Sequence, residues 1–379
     1  MIAKSILILG GYGNAGLAIA RLCLEYTDAR LTLAGRSQSK AVEAAAQLNA
    51  QYEGFRVAGL QADASKEEDL KRALVGVDLL VVASSTSPYV QQIASATLES
   101  GVDYLDIQFS TAKVKVLQSR ADEIKEAGRC FITDGGFHPG IPAALVRYAG
   151  DNIPNLERAM VGAVLKIDWG AYDIGASTAE EFVTEFRDYQ AEVFRKGRWK
   201  KASMLRMKNF PKIDFGEPFG RVPTAPMMLE EMRCLPDMIP TLRDTAFYVA
   251  GFNWLVDWVL FPAGILAMRL GPKVAHRAVG DAVFWGWKKF TKPPYGIVLQ
   301  LQARGTEHDR SKVLRVRLAH QDGYFLTAAP TVACIRQYLE GVAMRPGLHF
   351  MAHIVDPALM LKDIESMGVE VAIKEDTSL

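Results

Sequence analysis

The amino-acid sequence predicts an α/β protein with a doubly wound parallel sheet and a second, α+β domain. Short apolar runs alternate with helical segments through the first 133 residues, and this repetition is typical of a parallel sheet covered by helices on both faces. A glycine-rich turn follows the first apolar run. The length of 379 residues, with 49% apolar residues, fits two to three domains at about 150 residues each.

The predicted elements of the first domain alternate regularly along the chain. The opening run at 5–9 (SILIL) is apolar throughout, so we expect a strand that is buried on both faces. Further strands are predicted at 30–34, 55–61, 77–83, 104–107 and 129–133. Helices are predicted at 17–26, 40–51, 66–75, 89–100 and 119–127.

The turn between the first strand and the first helix has the spacing GxGxxG at Gly11, Gly13 and Gly16. In this motif the first glycine permits a tight turn, the second lets the backbone approach a pyrophosphate, and the third lets the helix pack on the strand. The helix N-terminus then presents unpaired N–H groups to the phosphates. We therefore predict a Rossmann-type dinucleotide site formed by Gly11, Tyr12, Gly13, Asn14, Ala15 and Gly16.

The end of the second strand indicates which dinucleotide binds. An NAD site carries Asp or Glu about twenty residues beyond the glycines, and Arg36 occupies that place here. A guanidinium suits the 2′-phosphate of NADP, and Ser37 can add a hydroxyl donor. The alternative is a solvated loop charge at Arg36. We predict NADP as the cofactor.

Polar residues after the third and fourth strands extend the predicted cofactor site. Asp63 could meet the adenine amine, or it could cap the helix that follows. Ser84 and Ser85 follow the fourth strand, where small hydroxyl groups are typical of a cofactor edge.

Several segments resemble the saccharopine dehydrogenase-like reductase family. They are the opening GGYGNAG, GVDYLD at 101–106, GGFHPGIP at 135–142, and an ending that runs from DGY at 322–324 to MGVEV at 367–371. The resemblance implies an NADP-dependent oxidoreductase that transfers hydride to or from a C=N or related bond of an amino-acid or polyamine-like substrate. It also implies an NADP-binding Rossmann domain at 1–140 plus 345–379, and an α+β domain for substrate and dimerisation at 141–344.

The sequence of the second domain supports its mixed α+β character. Strands are predicted at 156–167, 296–302 and 313–320, and the last of these alternates apolar and charged residues, which is typical of a strand with one wet face. An amphipathic helix is predicted at 180–194.

Two residues are candidates for the proton chemistry that accompanies hydride transfer. His138 lies in the crossover beside the expected nicotinamide, where the family often has an acidic residue, and an imidazole could donate the proton. The alternative is a structural histidine in a tight turn. Asp106 follows the fifth strand and could contact substrate or cofactor, or it could serve as a cap. We expect no metal site, because no CxxC or Cys/His pair has zinc-site spacing. His349 and His353 have the i,i+4 spacing of a helical metal pair, but Pro346 and Gly347 and the resemblance indicate a strand or loop there.

Residues 246–268 form an unusual block in which 18 of 23 residues are apolar and only Asp257 is charged. Its length would cross a bilayer, but Asp257, Pro262 and Gly264 oppose a single span. Three interpretations remain: a buried helix pair or apolar pocket wall, a peripheral or re-entrant membrane contact, and a dimer interface. Phe247, Trp254, Trp258 and Phe261 recur at helical spacing.

Composition and charge limit the partners. The formal net charge of +1 argues against nucleic acid as the main partner. Four dispersed cysteines and the absence of a recognisable signal peptide favour the cytoplasm, with membrane association as an alternative. We expect a small-molecule substrate and a homodimer. Two functional alternatives stay open: a reductase of an apolar or lipid-like substrate at a membrane surface, and a non-catalytic NADP-binding protein.

Overall fold

The computed structural model describes residues 3–171, 189–202, 210–250, 253, 255–260, 263–264, 266–267 and 274–378. The chain divides into two compact units. Unit 1 comprises Met1–Ala144 and Tyr324–Gly368, and unit 2 comprises Leu145–Gly323 and Val369–Leu379.

The described residues form the following elements. The strands are β1 Ser5–Leu9, β2 Arg30–Gly35, β3 Val57–Gln61, β4 Leu79–Val82, β5 Asp103–Asp106, β6 Cys130–Thr133, β7 Asn155–Lys166, β8 Glu192–Arg195, β9 Trp199–Lys201, β10 Lys212–Asp214, β11 Arg221–Pro223, β12 Ala225–Met227, β13 Asp244–Ala250, β14 Gly296–Glu307, β15 Arg310–His320, β16 Gly347–Phe350 and β17 Glu370–Ser378. The helices are α1 Asn14–Tyr26, α2 Gln38–Gln51, α3 Glu67–Ala73, α4 Val90–Glu99, α5 Thr111–Ser119, α6 Ala121–Glu126, α7 Ile141–Asn152, α8 Leu235–Met238, α9 Val274–Phe290, α10 Gly323–Leu339, α11 Met351–Ile354 and α12 Pro357–Ser366. Short 3₁₀ turns lie at Ser87–Tyr89 and Glu230–Met232, and a π-helical turn lies at Val256–Leu260.

Unit 1 is built on a parallel sheet of seven described strands in the order β16-β6-β5-β4-β1-β2-β3. The strands are short and mostly buried; all four residues of β4 and of β6, for example, are buried. Because β1 lies between β2 and β4, the strand order reverses there, and ligands of such sheets bind beyond the carboxyl ends of the strands at this point. The predicted doubly wound fold is confirmed.

One region of unit 1 differs from the prediction. The helix expected at 119–127 is present as α6, and a further helix, α5, precedes it. The Ser110 hydroxyl accepts a hydrogen bond from the Lys113 N–H and caps α5, and a Ser-Thr start of this kind initiates a helix even where apolar periodicity is weak. Helix α5 therefore begins eight residues before the predicted helix.

Unit 2 contains a mixed sheet of eight described strands. Its order is β17-β15-β14-β7-β13-β8-β9, and β12 pairs with β13 beside this path. Strands β14 and β15 form a long antiparallel hairpin, whereas β13 runs parallel to β7. Along β15, buried Leu314, Val316 and Leu318 alternate with Arg315 and Arg317, as the alternating sequence predicts. The second domain is thus a mixed-sheet α+β unit, as expected.

Two predictions for unit 2 are corrected by the described residues. The helix expected at 180–194 is wrong at its end, because 192–195 is strand β8 and Phe194 packs its ring 5.3 Å from that of Trp199 on β9; residues 180–188 lie outside the described residues. The apolar block begins as a strand, since its first five residues belong to β13. There Phe247 is paired with Val161 and buried, so its helical spacing with later aromatic residues is coincidental.

The later part of the apolar block packs within unit 2 where it is described. Val256 and Leu260 of the π-helical turn contact α9, around the buried Trp287. The Trp287 ring stacks on Trp169 with ring centroids 4.7 Å apart. No helix in the part of the chain that the structure describes is both long and apolar enough to span a membrane.

Candidate functional site

The glycine turn, residues 10–16, joins β1 to α1 with almost no space for side chains. A Cβ atom at Gly16 would lie 2.2 Å from the Gly10 carbonyl oxygen, and one at Gly11 would lie 2.8 Å from the Leu33 Cα atom. At Gly13 a Cβ atom would meet only the Gly10 oxygen, at 3.2 Å. The outer two glycines are therefore required by packing, while Gly13 leaves a surface on which a ligand can approach the backbone.

The N-terminus of α1 is available to a phosphate group. Gly13 is the N-cap residue, and no side chain among the described residues caps the helix. The N–H groups of Asn14, Ala15 and Gly16 lie in the first turn, where an α-helix has no internal partner for them, and the positive end of the helix dipole lies there as well. This cradle fits the pyrophosphate of a dinucleotide.

Tyr12 joins the glycine turn to the end of β2. Its ring covers Gly35, where a Cβ atom would lie 2.6 Å from the ring. Its hydroxyl oxygen accepts a hydrogen bond from the Ser37 N–H at 3.0 Å. The Ser37 hydroxyl in turn accepts from the Lys40 N–H at the start of α2. Between these anchored neighbours the Arg36 side chain is exposed to solvent.

Asp63 forms a local turn after β3. Its Oδ1 atom accepts hydrogen bonds from the N–H and the hydroxyl of Ser65, at 3.0 and 2.8 Å. These bonds lower the pKa of Asp63, and the positive charges of Lys66 and Arg36 lower it further. Asp63 therefore orders the chain before α3, although α3 itself begins after Lys66. Its contact with adenine stays a prediction.

The loop after β4 lies against the glycine turn. A Cβ atom at Gly10 would lie 2.6 Å from the Ser84 Cβ atom, so this loop and the turn are in direct contact. The buried Gln108 holds the loop from the other side, since its Nε2 atom donates to the Ser84 carbonyl at 2.5 Å and to the Thr86 hydroxyl at 3.2 Å. Ser85, the second predicted serine, lies half-buried in the same loop.

Asp106 belongs to a buried ion cluster at the carboxyl ends of β5 and β6. The Lys113 Nζ atom donates to Asp106 Oδ1 at 2.5 Å and to Asp134 Oδ1 at 2.8 Å. Asp106 Oδ2 also accepts from the Thr133 hydroxyl at 2.8 Å. Burial disfavours the charged form of Lys113, but the two carboxylates outweigh it and raise the pKa of Lys113. Both oxygens of Asp106 are thus engaged, which suits a positioning role.

Sequence reasoning missed three members of this region: Lys113, Asp134 and Gln108. A lysine is rarely buried, so composition gives no signal for Lys113. The serine cap at Ser110 offered a signal, because it places Lys113 in the first turn of α5, close to the end of β5.

The crossover segment, residues 134–140, leaves β6 and carries His138. It is constrained at both ends: Asp134 has a φ of 59°, and at Gly140 (φ 130°) a Cβ atom would lie 2.3 Å from the Gly136 carbonyl oxygen. The Gly135 N–H donates to the Asp106 carbonyl at 2.6 Å. The segment is therefore fixed against the end of β5.

His138 is half-buried in the crossover segment. Its ring meets the edge of the Phe137 ring with centroids 4.9 Å apart. Burial lowers the pKa of His138 to about 4. The imidazole is therefore uncharged near neutral pH, and its unprotonated ring nitrogen can accept a proton.

Comparison with known proteins identifies this arrangement. Residues 6–132 match the family model described as the saccharopine dehydrogenase NADP-binding domain. Over these residues the chain is similar to the NADP-binding domains of saccharopine dehydrogenases. A solved structure, apo saccharopine dehydrogenase (L-Glu forming) from Saccharomyces cerevisiae, has the same fold over the full length of both chains, with a TM-score of 0.70 and 15% identity.

Two curated relatives are named for reactions of polyamine-related compounds. The chain is 28% identical to carboxyaminopropylagmatine dehydrogenase from Synechocystis sp. over 273 residues, 65% of this chain and 62% of that protein. It is 24% identical to carboxynorspermidine synthase from Vibrio cholerae over 96% of this chain and 95% of that protein. These names support the expectation of an NADP-dependent oxidoreductase.

The predicted residues of the NADP-binding domain fall into two groups. The glycine turn, Tyr12, Arg36, Ser37 and Asp63 lie at the ends of β1, β2 and β3. Ser84, Ser85, Asp106 and His138 lie beyond the ends of β4, β5 and β6. All of them are at the carboxyl edge of one sheet, and their individual roles toward NADP and substrate stay predictions.

Proposed function

We propose that the protein is an NADP(H)-dependent oxidoreductase that transfers hydride to or from a C=N bond of a polyamine-like or amino-acid-like compound. The observation that carries the proposal is the cradle of the glycine turn in a domain that matches the saccharopine dehydrogenase NADP-binding family. Arg36 is exposed just after β2, and its guanidinium suits the 2′-phosphate. Its positive charge lowers the pKa of Asp63, so the ends of β2 and β3 lie near each other.

Different residues would bind different parts of the cofactor. The first-turn N–H groups of α1 would bind the pyrophosphate, Arg36 the 2′-phosphate, and the loop at Ser84 and Ser85 would border the nicotinamide half. Bound NADP(H) supplies the hydride chemistry, and the protein supplies orientation and proton transfer. Asp106 contributes through the crossover segment, since its oxygens are occupied by Lys113 and Thr133.

His138 would act as the proton acceptor in the direction of amine oxidation. Its pKa of about 4 leaves the imidazole neutral at pH 7, which is the form that takes a proton from a secondary amine. In the reverse direction the same group would return that proton to the nitrogen. The alternative is that His138 only fills the turn, and His138→Asn separates the two. Loss of turnover with unchanged NADPH affinity supports the proton role, whereas full turnover excludes it.

The substrate class rests on the names of the two relatives. Both names describe carboxylated derivatives of amines, so the proposed substrate carries a carboxylate and at least one further amine beside the reacting nitrogen. A direct test mixes the purified protein and NADP⁺ with carboxyaminopropyl derivatives of diamines, and follows formation of the reduced nicotinamide by absorbance. NADPH consumption with the corresponding amine and carboxylated aldehyde tests the reverse reaction.

The same panel decides between the proposal and its rivals. Binding of NADPH without turnover of any carboxylated amine, but with turnover of apolar carbonyl or enoyl compounds, would support the apolar-substrate alternative. Binding without any turnover would support a non-catalytic protein. The apolar alternative draws on residues 246–268, of which 246–250 belong to strand β13.

A further inference from the structure

Lys113 lies at the centre of a buried hydrogen-bond network, and the proposed mechanism assigns it no contact with cofactor or substrate. Its ammonium group has three donors, and each has a partner: Asp106 Oδ1 at 2.5 Å, the Gln108 carbonyl at 2.6 Å and Asp134 Oδ1 at 2.8 Å. The side chain is fully buried. An ammonium group with every donor engaged in a buried site is held in one position.

One branch of the network runs from Lys113 to the loop after β4. Lys113 fixes the main chain of Gln108 by its carbonyl, and Asp106 Oδ1 accepts from the Gln108 N–H at 3.1 Å. The Gln108 amide group then reaches Ser84 and Thr86. This branch therefore ends at the loop after β4, which lies beside the glycine turn at Gly10.

The other branch runs from Lys113 to the crossover segment. Asp134 adopts a φ of 59°, a left-handed conformation that non-glycine residues seldom adopt without support. The bond from Lys113 to its side chain supplies that support. The next residue, Gly135, is held by its N–H on the Asp106 carbonyl and by its own carbonyl on the Thr331 hydroxyl, at 2.6 and 2.7 Å.

We propose that Lys113 is a positioning residue that couples the loop after β4 to the crossover segment, and so fixes the two walls between which the nicotinamide half of NADP(H) binds. This inference rests on the proposed function. A purely structural role would be served by an apolar side chain, since a buried ion cluster seldom stabilises a fold more than apolar residues of similar volume. The network instead spans two loops that both follow carboxyl ends of strands, where ligands of this fold bind.

The test separates the two halves of the cofactor. Gln108→Met removes the amide that reaches the loop after β4 and leaves the ion cluster intact. Affinities are measured by calorimetry for NADPH and for 2′-phospho-ADP-ribose, which lacks the nicotinamide. We expect NADPH to bind roughly two- to tenfold more weakly, because neutral hydrogen bonds to the loop are lost, and 2′-phospho-ADP-ribose to bind unchanged.

The matched control is Gln337→Met. Gln337 is also buried in unit 1. Its Nε2 atom donates to the Asp356 carbonyl at 3.0 Å, and its Oε1 atom accepts from the Asp356 N–H at 2.7 Å. Its neighbour Tyr338 bonds to Asp103 at the amino end of β5, the opposite edge of the sheet. This variant should lower the unfolding temperature without changing the ratio of the two affinities.

A second pair of variants tests the branch to the crossover segment. Asp134→Asn keeps an oxygen acceptor for Lys113 and tolerates a left-handed backbone, so both affinities should stay within about twofold of the wild type. Asp134→Ala removes the acceptor and should weaken NADPH alone. Lys113→Met is avoided, because it leaves two buried carboxylates without a cation.

The outcomes are distinct. Equal loss of affinity for both ligands in Gln108→Met and Asp134→Ala, or no loss for either, overturns the positioning role and leaves NADP binding intact. A wild-type protein that binds neither ligand overturns the proposed function itself.

Discussion

Replacing Tyr12 by phenylalanine should reduce the preference of the protein for NADPH over NADH. The change removes one hydroxyl, which accepts from the Ser37 N–H at 3.0 Å, and keeps the ring that packs on Gly35. Ser37 is half-buried, so water can replace part of the lost bond. A neutral hydrogen bond of this kind contributes about 0.5–1.5 kcal/mol. Because the bond anchors the residue next to Arg36, the loss falls on recognition of the 2′-phosphate.

This free energy corresponds to an approximately two- to tenfold decrease in the ratio of NADPH to NADH affinity. The ratio is measured by quenching of protein fluorescence or by calorimetry with each reduced cofactor. Tyr52→Phe is the control, since Tyr52 ends α2 away from this turn, and it should leave the ratio unchanged. If Tyr12→Phe weakened both cofactors equally, Tyr12 would contact the part they share, and our reasoning about the turn would be wrong.

Three further variants test other parts of the site. Arg36→Ala should weaken NADPH binding about ten- to a hundredfold and leave NADH binding nearly unchanged, because only NADPH carries the phosphate that the guanidinium binds; calorimetry decides. Gly16→Ala places a Cβ atom 2.2 Å from the Gly10 oxygen, so it should weaken both cofactors and lower stability by about 1–3 kcal/mol in thermal unfolding. His138 has a pKa of about 4 in the folded protein against an ordinary value of 6.5. Protons therefore bind the unfolded chain first as pH falls below 6.5, and up to about 2 kcal/mol of stability should be lost between pH 7 and pH 5. Denaturant titrations should show that His138→Asn lacks this loss, and an equal loss in the variant would contradict it.

Much of the NADP-binding domain could be predicted because its signals are local. A buried strand, a glycine turn and a helix follow one another within the first 26 residues, and each is specified by its own residue types. Arg36 could be identified because it directly follows the next strand, β2, about twenty residues beyond the glycines. Tyr12 was included only as a member of the turn. Its bond to Ser37 joins residues 25 positions apart, and no local pattern reports such a contact.

The polar cluster at β5 and β6 shows where sequence reasoning failed. Asp106 was identified, but its partners were not, because a buried lysine is an exception to the usual distribution of charges. Asp134 has a left-handed backbone conformation. The surrounding hydrogen bonds determine that conformation, and the residue type alone does not predict it. The helical interpretation of the start of the apolar block, residues 246–250, was wrong for another reason: β13 is specified by its pairing with β7. A short apolar run does not by itself distinguish a strand from a helix.

The outermost strand of the parallel sheet has a consequence for the order of folding. Gly347 of β16 pairs with Cys130 of β6, more than two hundred residues earlier in the chain. During synthesis β6 therefore lacks its neighbour β16 until the whole intervening segment has left the ribosome, and the backbone groups on that edge have no strand to pair with. A bare strand edge is a template for pairing with other chains. Nascent chains halted before residue 347 should consequently depend on chaperones more than the full-length protein does, and their aggregation should begin at β6.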